Sequence, residues 1–537
     1  DATAAPATTV RQIVIGGDDS ATTTTAPTTT APAAPTAAPG TPATTPVTAP
    51  VTSPPTTVAA APAGVLRYAE GGGAVSYNPA AVNNAQTAFL FPVYDTLTRQ
   101  NADFTLAPGL ATAWSRPQPD VWEFTVRDDV VFHDGTPFDA AVAAANIEYH
   151  RSFPGNPQPA VWADVTGAHV VDATTFQVEF SRPVPEFPLH MSAAPGMMIN
   201  PNYLDGSDLT RNPQGSGPWI WSADESQAGV REVFTLNADY WNPADQGVER
   251  IEMTGYSDNS ARLNALITGE ADIATFTPDA QVKTGLDAGM QLVSVPNFFA
   301  YVLIADRGGE MFAPLADVRV RQAIAMAVDR DAYNDVVHAG RADAGGGIYP
   351  ANFAQFHVPE LDDVPSYDPD EARRLLAEAG YPDGFALTLP VMPAIQQPVE
   401  LVAQMLGAIG IDVELQPLNN GELGGRLLAG EVAISWLRIL QVHPATDLAN
   451  VVRGTGNPFG LDDVDPVLAA LEAAVVDDDP ESARAEYGEA TRLLLEDGIV
   501  IPLVHAGNNA MYSPTTSGVT MGLGMQTPLP LGVRVDG

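Results

Sequence analysis

The chain has 537 residues and carries 25 Lys and Arg against 65 Asp and Glu, which gives a formal net charge of −40. A surface of this sign repels nucleic-acid phosphates and anionic lipid headgroups, so we expect no nucleic-acid partner. The chain contains no cysteine, which excludes disulfides, thiol nucleophiles and thiolate metal sites. No apolar run reaches the roughly 18 residues that a membrane span needs.

The first 64 residues differ in composition from the rest of the chain. From Ser20 to Pro62 the sequence is almost wholly Thr, Ala, Pro, Val and Ser, without apolar periodicity. Such a segment builds no core, and we expect residues 1–64 to form an extended, disordered stalk. Two interpretations stay open, a glycosylated or wall-spanning stalk and an unmodified linker. The chain does not begin with a basic segment followed by an apolar one, so we expect any secretory signal to have been removed.

Folded elements are predicted from Val65 onward. An alternating strand at Val65–Glu70 precedes three glycines that lack a nucleotide-binding fingerprint. Further strands are predicted at Val121–Arg127 and Thr175–Phe180, and Asp139 is placed to cap a following helix. Such strands, mixed with helical patterns, predict an α/β body.

The second half of the chain alternates helix and strand. The segments VRVRQAIAMAV, DPDEARRLLAEAG and PVELVAQMLGAIG are amphipathic, and the last two end at Gly380 and Gly410, as helix C-terminal glycines do. The strand patterns FALTLPV and IDVELQPL follow those glycines. Helix then strand, repeated twice, predicts a second α/β lobe.

Two strand patterns flank this second lobe. They lie at Asn297–Ala305 and, after a helix predicted at Pro480–Asp497, at Gly498–Tyr512. We predict that both segments cross between the lobes, because two crossing segments permit hinge closure around a ligand. The predicted boundaries are 65–296 for lobe I, 297–497 for lobe II and 498–537 for the return to lobe I.

Several phrases follow one another in a fixed order. They are YDTLTR, LAPGLATAW, WEFTVRDDVVFHDGTPF, NPQGSGPW, TGEADI, PLADVRVRQAIAMAVDR and YDPDEARRLLAEAGYPDGF. In these phrases the chain resembles the family 5 extracellular solute-binding proteins of bacterial ATP-driven importers, a group with dipeptide-, oligopeptide-, nickel- and some sugar-binding members. The resemblance extends from about Val65 to the C-terminus.

The resemblance implies a two-lobed type II periplasmic-binding-protein fold, with a hinge of two crossing segments and an extra subdomain in the first lobe. It also implies a solute enclosed between the lobes, a permease with ATPase subunits as partners, and an extracytoplasmic location. Members from bacteria with a single membrane are usually lipid-anchored, so an N-terminal membrane anchor is expected. We expect a monomer without cofactor or catalytic residues, in which ligand binding and lobe closure are coupled.

One segment bears on the ligand, AISWLRILQVHPATDLAN. In the family's peptide binders the corresponding segment carries a Trp, an acidic residue and an Asp-Pro-like turn. Trp436 and Pro444 keep their places, whereas Arg438 and His443 stand where acids are expected, and Asp447 is an alternative carboxylate. If Arg438 faces the cleft, its guanidinium suits a carboxylate, a phosphate or sugar hydroxyls, and the alternative is pairing with a surface acid.

Further candidates lie near the predicted crossing segments and the first strand. The full predicted ligand-binding set is Trp436, Arg438, His443, Asp447, Tyr301, Asn297, Asn508, Ser76 and Tyr77. Core packing is an equal alternative for Tyr301 and Trp436, because aromatic side chains are buried for their area alone. The eight histidines lack helical metal-ligand spacing, so no dedicated metal site is expected.

Other classes of function stay open. A secreted hydrolase on this fold is one alternative, but Gly215-Ser216-Gly217 is not a nucleophile elbow, and no histidine stands in a triad order. A receptor that hands its ligand to a sensor is another alternative. Within transport, peptides, sugars and other small organic solutes are all candidates.

Overall fold

The computed structural model describes residues 61–82, 84–101, 105–205, 209–275, 279–419, 421–477, 479–521 and 528–536. These residues belong to one compact unit, Ala59–Gly537. The predicted stalk, residues 1–64, lies outside the described residues except for its last four. In the part of the chain that the structure describes, no helix has both the length and the apolar character to cross a membrane.

Helices are found throughout the described ranges. They are α1 Ala140–Ser152, α2 Pro159–Trp162, α3 Phe187–His190, α4 Asn259–Ile267, α5 Asp279–Asp287, α6 Val318–Met326, α7 Arg330–His338, α8 Pro369–Glu378, α9 Gln396–Gly407, α10 Glu422–Leu428, α11 Pro444–Val452, α12 Asp465–Val476 and α13 Pro480–Glu496. Asp139 caps α1 as predicted, because its carboxylate accepts a hydrogen bond from the Val142 amide at 2.9 Å. The predicted terminal glycines, Gly380 and Gly410, have φ values of 96° and 94°, a conformation that suits glycine at a helix end.

Strands make up the other half of the architecture. They are β1 Val65–Glu70, β2 Thr98–Gln100, β3 Leu106–Pro108, β4 Ala111–Gln118, β5 Val121–Val126, β6 Val165–Val170, β7 Thr175–Phe180, β8 Trp219–Trp221, β9 Arg231–Leu236, β10 Arg250–Gly255, β11 Ile273–Ala274, β12 Gln291–Ile304, β13 Phe385–Val391, β14 Ile411–Pro417, β15 Ile434–Leu440, β16 Val500–Tyr512, β17 Thr516–Ser517 and β18 Arg534–Val535. The predicted α/β class is confirmed. One predicted strand is longer than expected, because β12 begins at Gln291 and not at Asn297.

One eight-stranded sheet connects much of the molecule, in the order β15-β12-β16-β11-β1-β10-β9-β8. β1 runs parallel to β10 and β11, and the other neighbours are antiparallel. The carboxyl end of β15 lies beside Phe298, near the middle of β12, and that of β11 points toward the middle of β16. The predicted crossing segments also lie here, so we expect the candidate cleft near this level of the sheet.

The long strands β12 and β16 form an irregular antiparallel pair. Their register shifts between Pro296 and Phe298, where Pro296 has no amide hydrogen to donate. Asn297 falls at this shift, and its carbonyl accepts a hydrogen bond from the Gln441 amide at 2.8 Å. Irregularities of this kind bend a strand locally, so the pair bends at the level of the candidate cleft.

A separate antiparallel sheet, β4-β5-β7-β6, packs against α1. Its core contains Phe124 and Phe176, whose rings stack with centroids 5.3 Å apart, and Phe187, which meets Phe124 edge-on. We name residues 111–190 the small-sheet region. This region is one support of the site described below.

The other support is helical. Helices α11, α12 and α13 pack together, and their buried side chains include Leu448, Val467 and Leu494. We name residues 444–496 the helix-rich region. The parallel pair β13–β14 contacts α9 in a second buried cluster, which contains Val399, Leu406 and Trp436.

Candidate functional site

A cavity of about 560 Å³ lies between the small-sheet region and the helix-rich region. Its small-sheet wall includes Trp114, Arg116, Trp122, Pro185, Pro188 and Leu189. Its opposite wall, which we name the helical wall, includes Gln355, Phe356, His443, Asp477, Arg484 and Tyr487. The volume lies within the range of roughly 300–1,000 Å³ that is typical of small-molecule sites.

The small-sheet wall is mainly aromatic and apolar. Trp114 on β4 and Trp122 on β5 are both half-buried. The indole N–H of Trp122 donates to the Val184 carbonyl at 2.8 Å, which holds the ring in one orientation. The Arg116 guanidinium lies 5.9 Å from the centre of the Trp122 ring. Because strands fix these side chains, the wall offers a preformed apolar surface for a ligand.

His443 stands at the start of α11, on the helical wall. Its Nδ1 accepts a hydrogen bond from the Ala445 amide at 3.2 Å, so the neutral ring carries its proton on Nε2. The ring meets Phe356 and Tyr487 edge-on, with centroids 4.8 and 5.6 Å away. Burial lowers the pKa of His443 to about 4. At neutral pH the side chain is therefore an uncharged helix cap with one N–H donor.

Asp447 lies one turn further along α11 and is 4% exposed. A single carboxylate oxygen, Oδ2, accepts hydrogen bonds from the Val442 amide at 2.9 Å and from the Tyr349 hydroxyl at 3.0 Å. Burial nevertheless raises the pKa of Asp447 to about 7. Asp447 does not line the cavity, and its contacts hold the turn that presents His443.

Arg484, on α13, supplies a cation to the helical wall. Its Nε donates to the His357 carbonyl at 3.1 Å, and its Nη2 hydrogen-bonds the same carbonyl. No acid among the described residues forms an ion pair with Arg484. A guanidinium with spare donors is suited to bind a carboxylate or another polar anion.

Two direct contacts join the regions on either side of the cavity. Arg116 donates from Nη1 to the Val475 carbonyl at 2.8 Å and from Nη2 to the Asp477 carbonyl at 3.0 Å. The Thr446 hydroxyl donates to Glu186 Oε1 at 2.8 Å. The cavity is therefore bounded by hydrogen bonds that pass directly from one region to the other.

Of the nine predicted ligand-binding residues, His443 lines this cavity and the other eight do not. Trp436 is 8% exposed and donates its indole N–H to the Tyr333 hydroxyl at 3.0 Å, within a hydrophobic core. Tyr301 is 3% exposed and stacks on Phe299 with centroids 5.1 Å apart. Both side chains pack in a core, because the pleat of each strand directs the side chain inward, and a ligand-binding role for them stays a prediction.

Arg438 does not line the cavity, and its ligand-binding role stays a prediction. Its side chain is exposed, and its guanidinium lies 4.4 Å from the centre of the Phe298 ring. Desolvation lowers the pKa of Arg438. Within the described residues no surface acid pairs with it, so a cation–π contact with Phe298 replaces the expected salt bridge.

Asn297 and Asn508 lie on the crossing strands. Asn297 is 1% exposed, and Asn508 stands opposite Val295 in the β12–β16 ladder. The Nδ2 atom of Asn508 is buried and has no hydrogen-bond partner among the described residues. Both side chains are therefore near the register shift in the sheet, and neither lines the cavity.

Ser76 and Tyr77 lie beyond the carboxyl end of β1. The Ser76 hydroxyl accepts a hydrogen bond from the Asn78 amide at 3.1 Å, as in a local turn. Tyr77 is 3% exposed, and its ring packs against Trp221 with centroids 5.6 Å apart. Tyr77 belongs to a hydrophobic core, and a ligand-binding role for it stays a prediction.

Sequence reasoning missed most of the cavity. Trp122 lay inside a phrase that indicated only the fold, and Tyr487 and Arg484 lay in a helix with no recognised motif. One local signal was present in SRPVPEFP, Ser181–Pro188, where prolines surround Glu186. Prolines in a turn present a fixed apolar surface, but nothing in that segment identifies the helices it faces.

The side chains around the cavity suit an organic solute and not a directly bound metal ion. In the ranges that the structure describes, no group of three or more His, Asp or Glu side chains is placed to hold a metal ion. The walls combine aromatic rings, a neutral imidazole and guanidinium groups, and this set suits an organic solute with apolar and anionic parts.

Comparisons with known proteins agree with this fold. The sequence profile of the bacterial extracellular solute-binding proteins, family 5 Middle, matches residues 105–457. The glutathione-binding protein GsiB of Salmonella paratyphi A is 28% identical over 418 residues, covering 71% of this chain and 77% of that relative.

Two solved structures show the same fold. NikA from Brucella suis in complex with Fe(III)-EDTA matches with a TM-score of 0.72 and 24% identity, covering 88% of this chain and 100% of that one. DppA from Helicobacter pylori in complex with the peptide STSA matches with a TM-score of 0.66 and 20% identity, covering 88% of this chain and 98% of that one.

The fold and the family match define a solute-binding protein of the two-lobed type II periplasmic class, as predicted. The chain belongs to family 5 of the bacterial extracellular solute-binding proteins. It is a solute-capturing component of an ATP-binding-cassette importer, which works outside the cytoplasmic membrane with a permease and ATPase subunits. Its relatives are binding proteins and not enzymes.

Proposed function

We propose that the cavity between the two regions takes a short peptide, or another small organic solute with an apolar group and a carboxylate. The observation that carries the proposal is the pairing of an aromatic wall, Trp114 and Trp122, with Arg484 and His443 opposite. The rings favour an apolar group, Arg484 favours a carboxylate, and the His443 N–H favours a carbonyl oxygen. The solute named for GsiB is glutathione, and the one named for the DppA complex is the peptide STSA. Both solutes belong to the proposed chemical class.

Closure is proposed to occur around the β12–β16 pair, with lobe I at 65–296 and 498–537 and lobe II at 297–497. The small-sheet region then belongs to lobe I and the helix-rich region to lobe II, so the two cavity walls come from different lobes. The register shift at Pro296 supports a bend at this level. A solute that touches both walls stabilises the closed form by its differential contacts with that form.

Delivery is proposed to use an N-terminal membrane anchor and a monomeric binding protein. The Thr/Ala/Pro-rich composition of residues 1–64 supports a spacer between an anchor and the folded body. Membrane fractionation and light scattering of the protein from its native host test these two points. A soluble pool alone, or a stable dimer, would contradict them.

The experiment that tests the ligand class is mass spectrometry of solute released by denaturing the protein purified from its native host. We expect a peptide or a related carboxylate, recovered chemically unchanged, and calorimetry with the identified compound then gives its affinity. A sugar without a charged group, or a metal chelate alone, would overturn the proposed class. Conversion of the solute by the purified protein would instead favour the hydrolase alternative.

A further inference from the structure

In both contacts between the regions, a charged side chain of the small-sheet region lies at a helix end of opposite partial charge. Arg116, from the small-sheet region, donates to the Val475 and Asp477 carbonyls at the C-terminal end of α12. The last carbonyls of a helix have no partner within the helix, and the helix dipole places partial negative charge there. A guanidinium at this end both satisfies carbonyls and matches the sign of the dipole.

The second contact places a negatively charged side chain at the N-terminal end of a helix, α11. The Glu186 carboxylate, also from the small-sheet region, accepts a hydrogen bond from Thr446 in the first turn of α11. The N-terminal end of a helix carries partial positive charge, which favours a carboxylate. Glu186 is 5% exposed, so the surrounding protein weakens this attraction less than solvent does.

We infer that Arg116 and Glu186, with their partners Val475, Asp477 and Thr446, form a latch that holds the lobes together through direct hydrogen bonds from one lobe to the other. Arg116 and Asp477 also line the cavity, so the Glu186–Thr446 bond is the arm that acts apart from the solute. The inference deepens the proposed function, on which it rests, because it names a second source of the free energy of closure. Thr446 and Glu186 do not line the cavity, so their hydrogen bond passes from lobe to lobe without involving a solute.

The latch has a direct consequence for affinity. A binding protein whose competent form is only partly populated binds its solute more weakly by that fraction. Contacts that raise the closed population therefore raise affinity and slow release, even when they touch no part of the solute. Losing the Glu186–Thr446 arm of the latch weakens binding of every solute by a similar factor, whereas losing a cavity side chain weakens binding selectively.

The test uses distance measurements on the full chain. Because the chain has no cysteine, Val170→Cys and Leu428→Cys introduce unique positions for spin labels, one on the small-sheet region and one on α10. Both native side chains are exposed, at 50% and 61%. Bound solute is first removed by unfolding and refolding, and pulsed electron paramagnetic resonance then gives the distance distribution.

We expect a major short-distance population in the doubly labelled parent. Arg116→Ala and Thr446→Val are each expected to lower the ratio of short to long distances by about tenfold, which corresponds to about 1.4 kcal/mol. The matched controls are Arg182→Ala, whose ion pair with Asp164 stays within the small-sheet region, and Thr112→Val, whose hydroxyl bonds the Thr125 carbonyl on a neighbouring strand. Both controls should keep the parent distribution.

Two results would overturn the latch. One is a parent with only the long distance, and the other is an unchanged distribution in both latch variants. Calorimetry with glutathione and with the dipeptide Met-Leu separates this failure from failure of the proposed function. If neither probe binds, and the solute released from the native protein is neither a peptide nor a related carboxylate, while the latch variants shift the distances, the latch stands and the proposed ligand class fails. If a probe binds and the distances do not shift, the peptide class stands and the latch fails.

Discussion

The two walls of the cavity are built in different ways. The small-sheet wall presents Trp114, Trp122 and Pro185 from strands and a proline-rich turn, and Trp122 is fixed by its bond to a backbone carbonyl. The helical wall presents His443 and Arg484, which are ionisable groups on helices. The difference teaches that the two tryptophans and the cation without an acidic partner among the described residues, Arg484, come from opposite sides of the cavity. A solute is therefore recognised in full only when both walls surround it.

A change of pH is expected to affect the helical wall and not the small-sheet wall, because Asp447 supports only the helical wall. Its pKa of about 7 in the folded protein exceeds the usual value of about 3.9. The folded state therefore retains a proton that the unfolded state releases, and stability is lost as pH rises from about 4 to 7. Asp447→Asn keeps an acceptor for Val442 and Tyr349 but does not ionise.

Between pH 5 and pH 8 we expect the free energy of unfolding of Asp447→Asn to fall by about 2 to 3 kcal/mol less than that of the parent. Urea titrations of both proteins at each pH measure this difference. Parallel pH profiles for the two proteins would show that Asp447 ionises normally in the folded state.

Removal of an aromatic ring tests the small-sheet wall. Trp122→Ala is expected to weaken binding of the identified solute by about 30-fold, about 2 kcal/mol, because a half-buried tryptophan supplies a large contact area. Trp436→Phe is the matched control, since Trp436 lies in a core. The control should lower thermal stability and leave affinity unchanged, as measured by calorimetry. Loss of affinity in Trp436→Phe, with unchanged affinity in Trp122→Ala, would indicate that the site lies at β15.

The charge of the helical wall is tested at Arg484. Arg484→Ala is expected to lower the affinity for a carboxylate-bearing solute by about tenfold, because a charge-assisted hydrogen bond is lost. Arg492→Ala changes the same charge on the same helix, at a residue already paired with Glu489, and should have little effect. Arg438→Ala should also change affinity by less than twofold. A larger loss for Arg438 than for Arg484 would restore the prediction made from the sequence.

The smallest effect concerns His443 as a helix cap. His443→Ala removes the acceptor for the Ala445 amide and should cost about 1 kcal/mol of stability. His443→Asn restores a favourable cap and should recover most of that loss, although it replaces the ring that faces Phe356. Chemical denaturation measures the free energy of unfolding of both variants. Equal values for the two variants would show that His443 does not stabilise the protein as a helix cap.

Much of the fold could be predicted because its signals are local. Asp139 caps α1, and Gly380 and Gly410 follow helices with positive φ, as their spacing indicates. Strand and helix periodicities need only neighbouring residues, and the ordered phrases add the family. The start of β12 was missed because Pro296 interrupts the pattern, and only pairing with β16 extends the strand back to Gln291.

The site could be predicted only in part. His443 was found because a recognised segment contains it, but the same segment directed attention to Trp436 and Arg438. Alternation along β15 turns Trp436 into the core, and Phe298 on the adjacent strand takes the Arg438 guanidinium. A local sequence pattern does not show which face of a strand is covered by neighbouring helices and strands.

The sequence by itself therefore determined the α/β class, the family and the ends of several helices, because short-range caps, turns and periodicities encode them. Tertiary structure alone decided the cavity, since it brings Trp122 to Arg484 and Glu186 to Thr446 across hundreds of residues. These pairs depend on how two regions pack against each other. Their energy comes from burial and from helix ends meeting side chains of opposite charge, and neither is visible until the chain has folded.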